Sequence, residues 1–187
     1  MWPRPGMGPK PASQRAGFSL VELMIVVAIV AVLAGLAVLT FSRWKRRAVR
    51  AEVATVLGAI ALREEAYRAE FGAYLSCASA LQRHPALGSS EPTKKPVGTN
   101  ACWQNLGLTT DPELYCSYSV WGGQPNTWPA DFPGPDKAAF GGTAPPTVWY
   151  LGIGECDLDS VADGAGKNSI FYRTHQNTTL GERNPDK

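Results

Sequence analysis

The stretch from Phe18 to Phe41 leaves its chain few options: 24 residues hold one charge, Glu22, and no proline. A helix there, at about 1.5 Å per residue, spans roughly 36 Å, enough to cross the apolar part of a bilayer. An acid inside such a segment is costly and needs a reason. No proline occurs between Pro11 and Pro85, and the pattern predicts one helix from Phe18 to Phe71.

The charge pattern divides the chain at the start of this run. Arg4, Lys10 and Arg15 precede Phe18, and no acid does. Of 18 basic and 16 acidic residues these three bases lie in the leader, so the rest of the chain has one more acid than base. A formal charge of +2 argues against a nucleic-acid partner. The basic lead-in favours keeping residues 1–17 in the cytoplasm, although Arg43, Lys45, Arg46 and Arg47 beyond the run pull the other way. An ordinary secretory signal has a shorter apolar core followed by a small-x-small cleavage site. Here the small residues Ala16-Gly17 lie before the core, and Ala34-Gly35 is a poor cleavage site.

The segment Gly17-Phe18-Ser19-Leu20-Val21-Glu22-Leu23 resembles the class III signal of type IV pilins and type II secretion pseudopilins. That pattern runs Gly, usually Phe, Thr or Ser, Leu, an aliphatic residue, Glu and Leu, and the sequence departs from it nowhere. The resemblance covers about the first third of the chain, to Phe71. It implies cleavage after Gly17 by a membrane prepilin peptidase and N-methylation of the new terminus at Phe18. It implies a single-pass precursor in a bacterial inner membrane, its head in the periplasm, in contact with membrane lipid. An inner-membrane assembly platform would then add the subunit to other pilin subunits, in an extracellular pilus or a periplasmic pseudopilus.

Electrostatics gives this implied chemistry a reason. Cleavage leaves a cationic amine on Phe18, and Glu22 lies one turn further in. If the amine of one copy meets the Glu22 carboxylate of its neighbour, each offsets the other's desolvation, several kcal/mol per ion in low dielectric. The competing reading is that Glu22 caps its own helix, favourable by roughly 0.3–1 kcal/mol. The two are compatible.

From Val49 the helix becomes one-sided. Val49, Val53, Val56, Ile60, Tyr67 and Phe71 recur at steps of three, four or seven, flanked by Arg50, Glu52, Arg63, Glu64, Arg68 and Glu70. Glu64 and Arg68 have i,i+4 spacing, worth a few tenths of a kcal/mol. The cluster Arg43 to Arg47, with Trp44, has the composition of an interfacial anchor, or of subunit contacts along a filament. Gly35 weakens the helix by up to about 1 kcal/mol, and the family analogy suggests local unwinding there on polymerisation.

The fold class expected is α+β. A long N-terminal helix, transmembrane in its first half and amphipathic in its second, packs on a small antiparallel sheet of pilin type. The divisions are a leader (1–17), an assembly helix (18–41), its amphipathic continuation (42–71), a connecting loop (72–114), a sheet-bearing head (115–175) and a frayed polar tail (176–187). Strands are expected at Leu114–Trp121, Thr147–Ile153 and Asn168–Arg173, with loop between Gly122 and Pro146. All four cysteines, Cys77, Cys102, Cys116 and Cys156, follow the apolar run and form no CxxC pair. They suit two disulfides in an oxidising compartment. Three connectivities are open; chain order favours Cys77–Cys102 and Cys116–Cys156.

The segment Cys156 to Gly164 places Asp157, Asp159 and Asp163 in the oxygen-rich clustering that calcium favours. It lacks the closing Glu of an EF-hand, and a solvated Asp/Gly turn is the simpler reading. No other cofactor is implied. Two histidines, His84 and His175, and no nucleophile or phosphate-loop motif point away from an enzyme. Four tryptophans between residues 103 and 149 suit either a binding face or internal packing. The function expected is a structural pilin, compatible with a low-copy subunit. The alternatives are a pseudopilin and a single-pass anchored binding or enzymatic domain that never polymerises.

Overall fold

The computed structural model describes residues 18–78, 83, 85, 95–96, 101–108, 113–158 and 168–184. The chain divides into two compact units at Arg43/Trp44. Helix α1, Leu20–Phe71, is 52 residues long and contributes to both. Gly72 ends it: its φ of 74° is left-handed, and its N–H reaches the Arg68 carbonyl at 2.8 Å. Glycine adopts that conformation without a Cβ penalty.

The second unit is built on an antiparallel sheet. Strands β1 (Lys95–Pro96) and β2 (Glu113–Leu114) form a two-stranded ribbon. A short helix, α2 (Ala101–Asn105), lies between them in the chain. The main sheet has the order β3-β4-β5-β6, with β3 Ser117–Gly123, β4 Trp149–Cys156, β5 Ser169–Thr174 and β6 Gly181–Arg183. The three expected strands are present, shifted or lengthened by a few residues. Three expectations need correction. The region taken as connecting loop holds α2, β1 and β2. The supposed loop from Gly122 to Pro146 contains a 3-10 helix, Gly134–Phe140. The tail read as frayed supplies β6, which pairs Ile170 with Arg183 and Phe171 with Glu182. Backbone pairing holds that polar segment, a force that hydropathy does not register.

Strand β4 is buried along its whole length, because each face of the sheet carries a layer. On one side Tyr150 and Cys156 join Tyr118, Val120 and Phe171 against Val49, Val53, Leu57 and Ile60 of α1. On the other, Trp149, Leu151, Ile153 and Ile170 meet Trp121 and Phe132, with Trp128 and Phe140 packed around them. Strand alternation produces this division. The positions of β4 that face α1 include two glycines, which let the helix come close. A Cβ on Gly152 would stand 3.3 Å from Leu57 Cδ2, and one on Gly154 3.2 Å from Val53 Cγ1. The other face uses glycine differently. Gly123 lies opposite Trp149, whose ring occupies the space a Cβ would need.

Polar groups fix the same helix to the sheet. Glu52 Oε1 accepts the N–H of Tyr115 at 3.0 Å, the N–H of Cys116 at 3.3 Å and the Tyr118 hydroxyl at 3.1 Å. It ties α1 to the start of β3, so this apparent flanking residue is a docking residue. Burial, with the Glu52 charge beside it, pushes the Tyr118 hydroxyl up. Arg50 pairs with Glu182 at 2.9 Å, linking α1 to β6.

Gly154→Val should destabilise the head by roughly 1–3 kcal/mol through overpacking, read as a lower urea midpoint. Gly134→Ala, with nothing within 4 Å of its Cβ position, should change it little. Glu52→Ala, which leaves buried donors unmatched, should cost roughly 2–4 kcal/mol in the same measurement.

Candidate assembly site

The first unit begins with a reciprocal pair of hydrogen bonds. Ser19 stands just before α1, and its Oγ accepts the Glu22 N–H at 3.2 Å. Glu22 Oε2 in turn accepts the Ser19 N–H at 2.9 Å and the Ser19 O–H at 2.9 Å. This is a capping box, in which the Ser-x-x-Glu spacing satisfies donors that the first helical turn leaves open. The local capping role weighed for Glu22 is therefore present in the chain, and Ser19 is its partner. The three-residue Ser19–Glu22 spacing is the sequence signal for this cap. Both bonds use Oε2. Oε1 has no partner among the described residues.

The helix beyond this box presents an apolar surface that the chain itself does not cover. Phe18 is 85% exposed, and every described residue from Phe18 to Ala37 is exposed. The 18 residues Leu20–Ala37 are long and apolar enough to cross a membrane, and none of them is buried. Contiguous apolar surface of this extent calls for lipid or another protein chain. Arg43, Trp44 and Arg47 are exposed and Lys45 and Arg46 half-exposed, as suits groups at a polar boundary. Gly35 has no neighbour within 4 Å of its Cβ position. Gly17 lies outside the described residues.

In the second unit the disulfides join Cys77 to Cys102 and Cys116 to Cys156. The latter continues the β3–β4 register by one pair beyond Ser117 and Glu155. Asp159 and Asp163 lie outside the described residues, as does His84. Among the described residues no three of His, Cys, Asp and Glu are grouped to hold a metal ion. Asp157 follows β4, and the neighbouring Glu155 is engaged by Arg83 and Asn168. His175 sits against the rings of Tyr74, Phe140 and Tyr150. Of the four tryptophans between residues 103 and 149, Trp103, Trp121 and Trp149 are buried. Trp128, half-buried, stacks on Phe132 with centroids 4.7 Å apart. They serve as packing.

The predicted Glu64–Arg68 pair is not formed. Arg68 pairs with Glu65 at 2.9 Å, and Glu64 points inward with no exposed surface. Its Oε2 accepts the Leu75 N–H at 3.0 Å, and its Oε1 has no partner among the described residues. Burial pushes its carboxyl up to about 8. Phe71, counted in the apolar stripe, is mostly exposed; its ring lies 4.4 Å from that of Tyr67.

Residues 12–38 match the family model described as "Prokaryotic N-terminal methylation motif", the class III signal of type IV pilins and pseudopilins. No curated protein and no solved structure matches the chain.

Loss of the capping bond should be measurable in detergent micelles. Ser19→Ala is expected to cost about 1 kcal/mol at the helix start and to speed exchange of the Glu22 amide about fivefold. Ser19→Thr should retain the wild-type rate.

Proposed function

We propose that this chain, a precursor of pilin or pseudopilin type by its methylation motif, matures into a structural subunit of a type IV pilus filament. Maturation removes residues 1–17 and leaves a methylated amine on Phe18. The apolar helix Leu20–Ala37 fits an inner-membrane-anchored precursor. The head, with its disulfides, would occupy the oxidising side of that membrane. The role is structural rather than catalytic.

The observation that carries this reading is the arrangement at the helix start. Among the described residues Glu22 holds its own first turn through Oε2 alone, which leaves Oε1 as an acceptor within an otherwise apolar surface. The methylated amine of a neighbouring copy supplies the matching charge. Within lipid or a packed helix array an unpaired carboxylate is expensive, and pairing it with an ammonium recovers much of that cost. The same pairing sets register, because an apolar helix sliding past its neighbour would strand both charges. The remaining cohesion comes from the exposed aliphatic side chains between Leu20 and Leu36. They exchange lipid for protein contacts at close to the same polarity. Polymerisation therefore needs the charge pair for specificity and helix packing for strength.

Intact-mass analysis of the mature protein tests the reading. The mass should show the loss of residues 1–17, the gain of one CH2 for the methyl that replaces a hydrogen on the Phe18 amine, and the loss of four hydrogens for the two disulfides; a retained leader overturns the proposal. Glu22→Val should insert and be processed yet disappear from the sheared-filament fraction. Its normal incorporation would remove the pairing mechanism.

A further inference from the structure

Beyond assembly, the second unit contains a device at the end of α1. After Gly72 the chain turns back and runs along the outer edge of β3. Cys77 and Val120 exchange backbone hydrogen bonds of 2.7 Å and 3.2 Å, the isolated bridge that covers this edge. Gly122 makes room for the segment: a Cβ there would stand 2.6 Å from the Tyr74 carbonyl oxygen and 2.9 Å from that of Leu75. On its other side the segment is tied to α1. The Tyr74 hydroxyl donates to Glu65 Oε1 at 2.7 Å, and the Leu75 N–H donates to Glu64 Oε2 at 3.0 Å. The Cys77–Cys102 disulfide tethers its far end.

Glu64 is an unusual tether. It is fully buried, one of its oxygens has no partner, and no cation pairs with it among the described residues. The groups around it come from every element packed there. Glu65 of α1 and Tyr150 of β4 act on Glu64 itself; Arg68 of α1, Tyr74 of the segment and His175 in the turn after β5 act on Glu65, and Arg173 of β5 acts on Tyr150. Arg68 is occupied by Glu65. Tyr150 is itself pushed up to about 12 by burial and stays neutral. A proton on Glu64 therefore spares the site a buried, uncompensated charge.

We propose that residues 72–78 form a pH-released strap over the edge of β3, with Glu64 as its latch. While Glu64 is neutral it holds the strap through the Leu75 N–H. Once ionised it is driven towards water, and the strap loosens with it. The exposed consequence is an unpaired strand edge, a surface that pairs with other chains. In a head carried outside the cytoplasm, as the proposed function has it, the strap responds to ambient pH.

The sign follows from linkage. The folded carboxyl titrates near 8 and an unfolded one near 4.5. Above about 4.5 the opened state sheds a proton that the closed state keeps, so closure weakens as pH rises to about 8 and then levels. His175 acts oppositely. Burial holds its imidazole below 6.5, so its contribution is lost only as pH falls below that value. Between about 6.5 and 8 Glu64 acts without opposition from His175.

Amide hydrogen exchange on the full mature chain in detergent tests the latch, with rates expressed as protection relative to an unstructured chain at the same pH. Protection of Leu75 and Cys77 should fall roughly tenfold per pH unit between 6.5 and 8. Leu151 and Ile153 in β4, which exchange only when the whole head opens, should stay more protected than the strap at every pH. Glu64→Gln should abolish the fall, and Glu65→Gln should leave it in place. A flat wild-type profile, or the same fall in Glu64→Gln, overturns the proposal. Carbon-13 titration of the wild-type Glu64 carboxyl gives an answer even if that variant fails to fold: a midpoint near 8 supports the latch, and one below 5.5 removes it.

Discussion

The close approach of α1 to β4 governs the second unit. Gly152 and Gly154 clear a track on the sheet for Val53, Leu57 and Ile60. With side chains at those two positions the helix would stand off and the first layer of the core would open. The track also sets which helix residues look inward. Glu52 then falls beside the start of β3 and Glu64 beside the returning strap. The second layer depends on the first, because β4 is buried on both faces only while α1 covers one of them.

Four carboxylates on one helix show how surroundings decide chemistry. Glu22 caps its own first turn and keeps one oxygen in reserve. Glu52 gathers two backbone N–H groups and a tyrosine hydroxyl, acting as a polar rivet. Glu65 joins Arg68 and Tyr74 at the surface. Glu64, its immediate neighbour, loses water without gaining a countercharge and holds its proton to near pH 8. A rotation of about 100° per residue separates the last two fates.

Much of this was legible beforehand. The seven residues from Gly17 to Leu23, the apolar run and the 3.6-residue stripe pointed to the motif and to a helix ending at Phe71. Hydrophobic alternation located three of the four main strands. What escaped was carried by weaker or non-local signals. Strand β6 is polar and is held by pairing with β5. The 3-10 helix lies in a Gly/Pro-rich stretch whose burial comes from Trp128, Phe132 and Phe140 closing over the sheet. Glu64 had a local signal that was passed over: in the step of seven from Ile60 to Tyr67 it occupies the intervening stripe position. Polarity alone placed it in solvent, and the helix register places it in the core.

The sequence by itself determined where the chain is apolar, which motif opens its helix, and which residues can share a helix face. These are short-range properties, set by the residue types and by the fixed geometry of the α-helix. Tertiary structure alone decided which acids keep water. It also decided that Cys116 stands across from Cys156, and that the strap from Gly72 to Ala78 covers β3. Such outcomes depend on segments tens of residues apart meeting at ångström distances, and desolvation exists only once they have met.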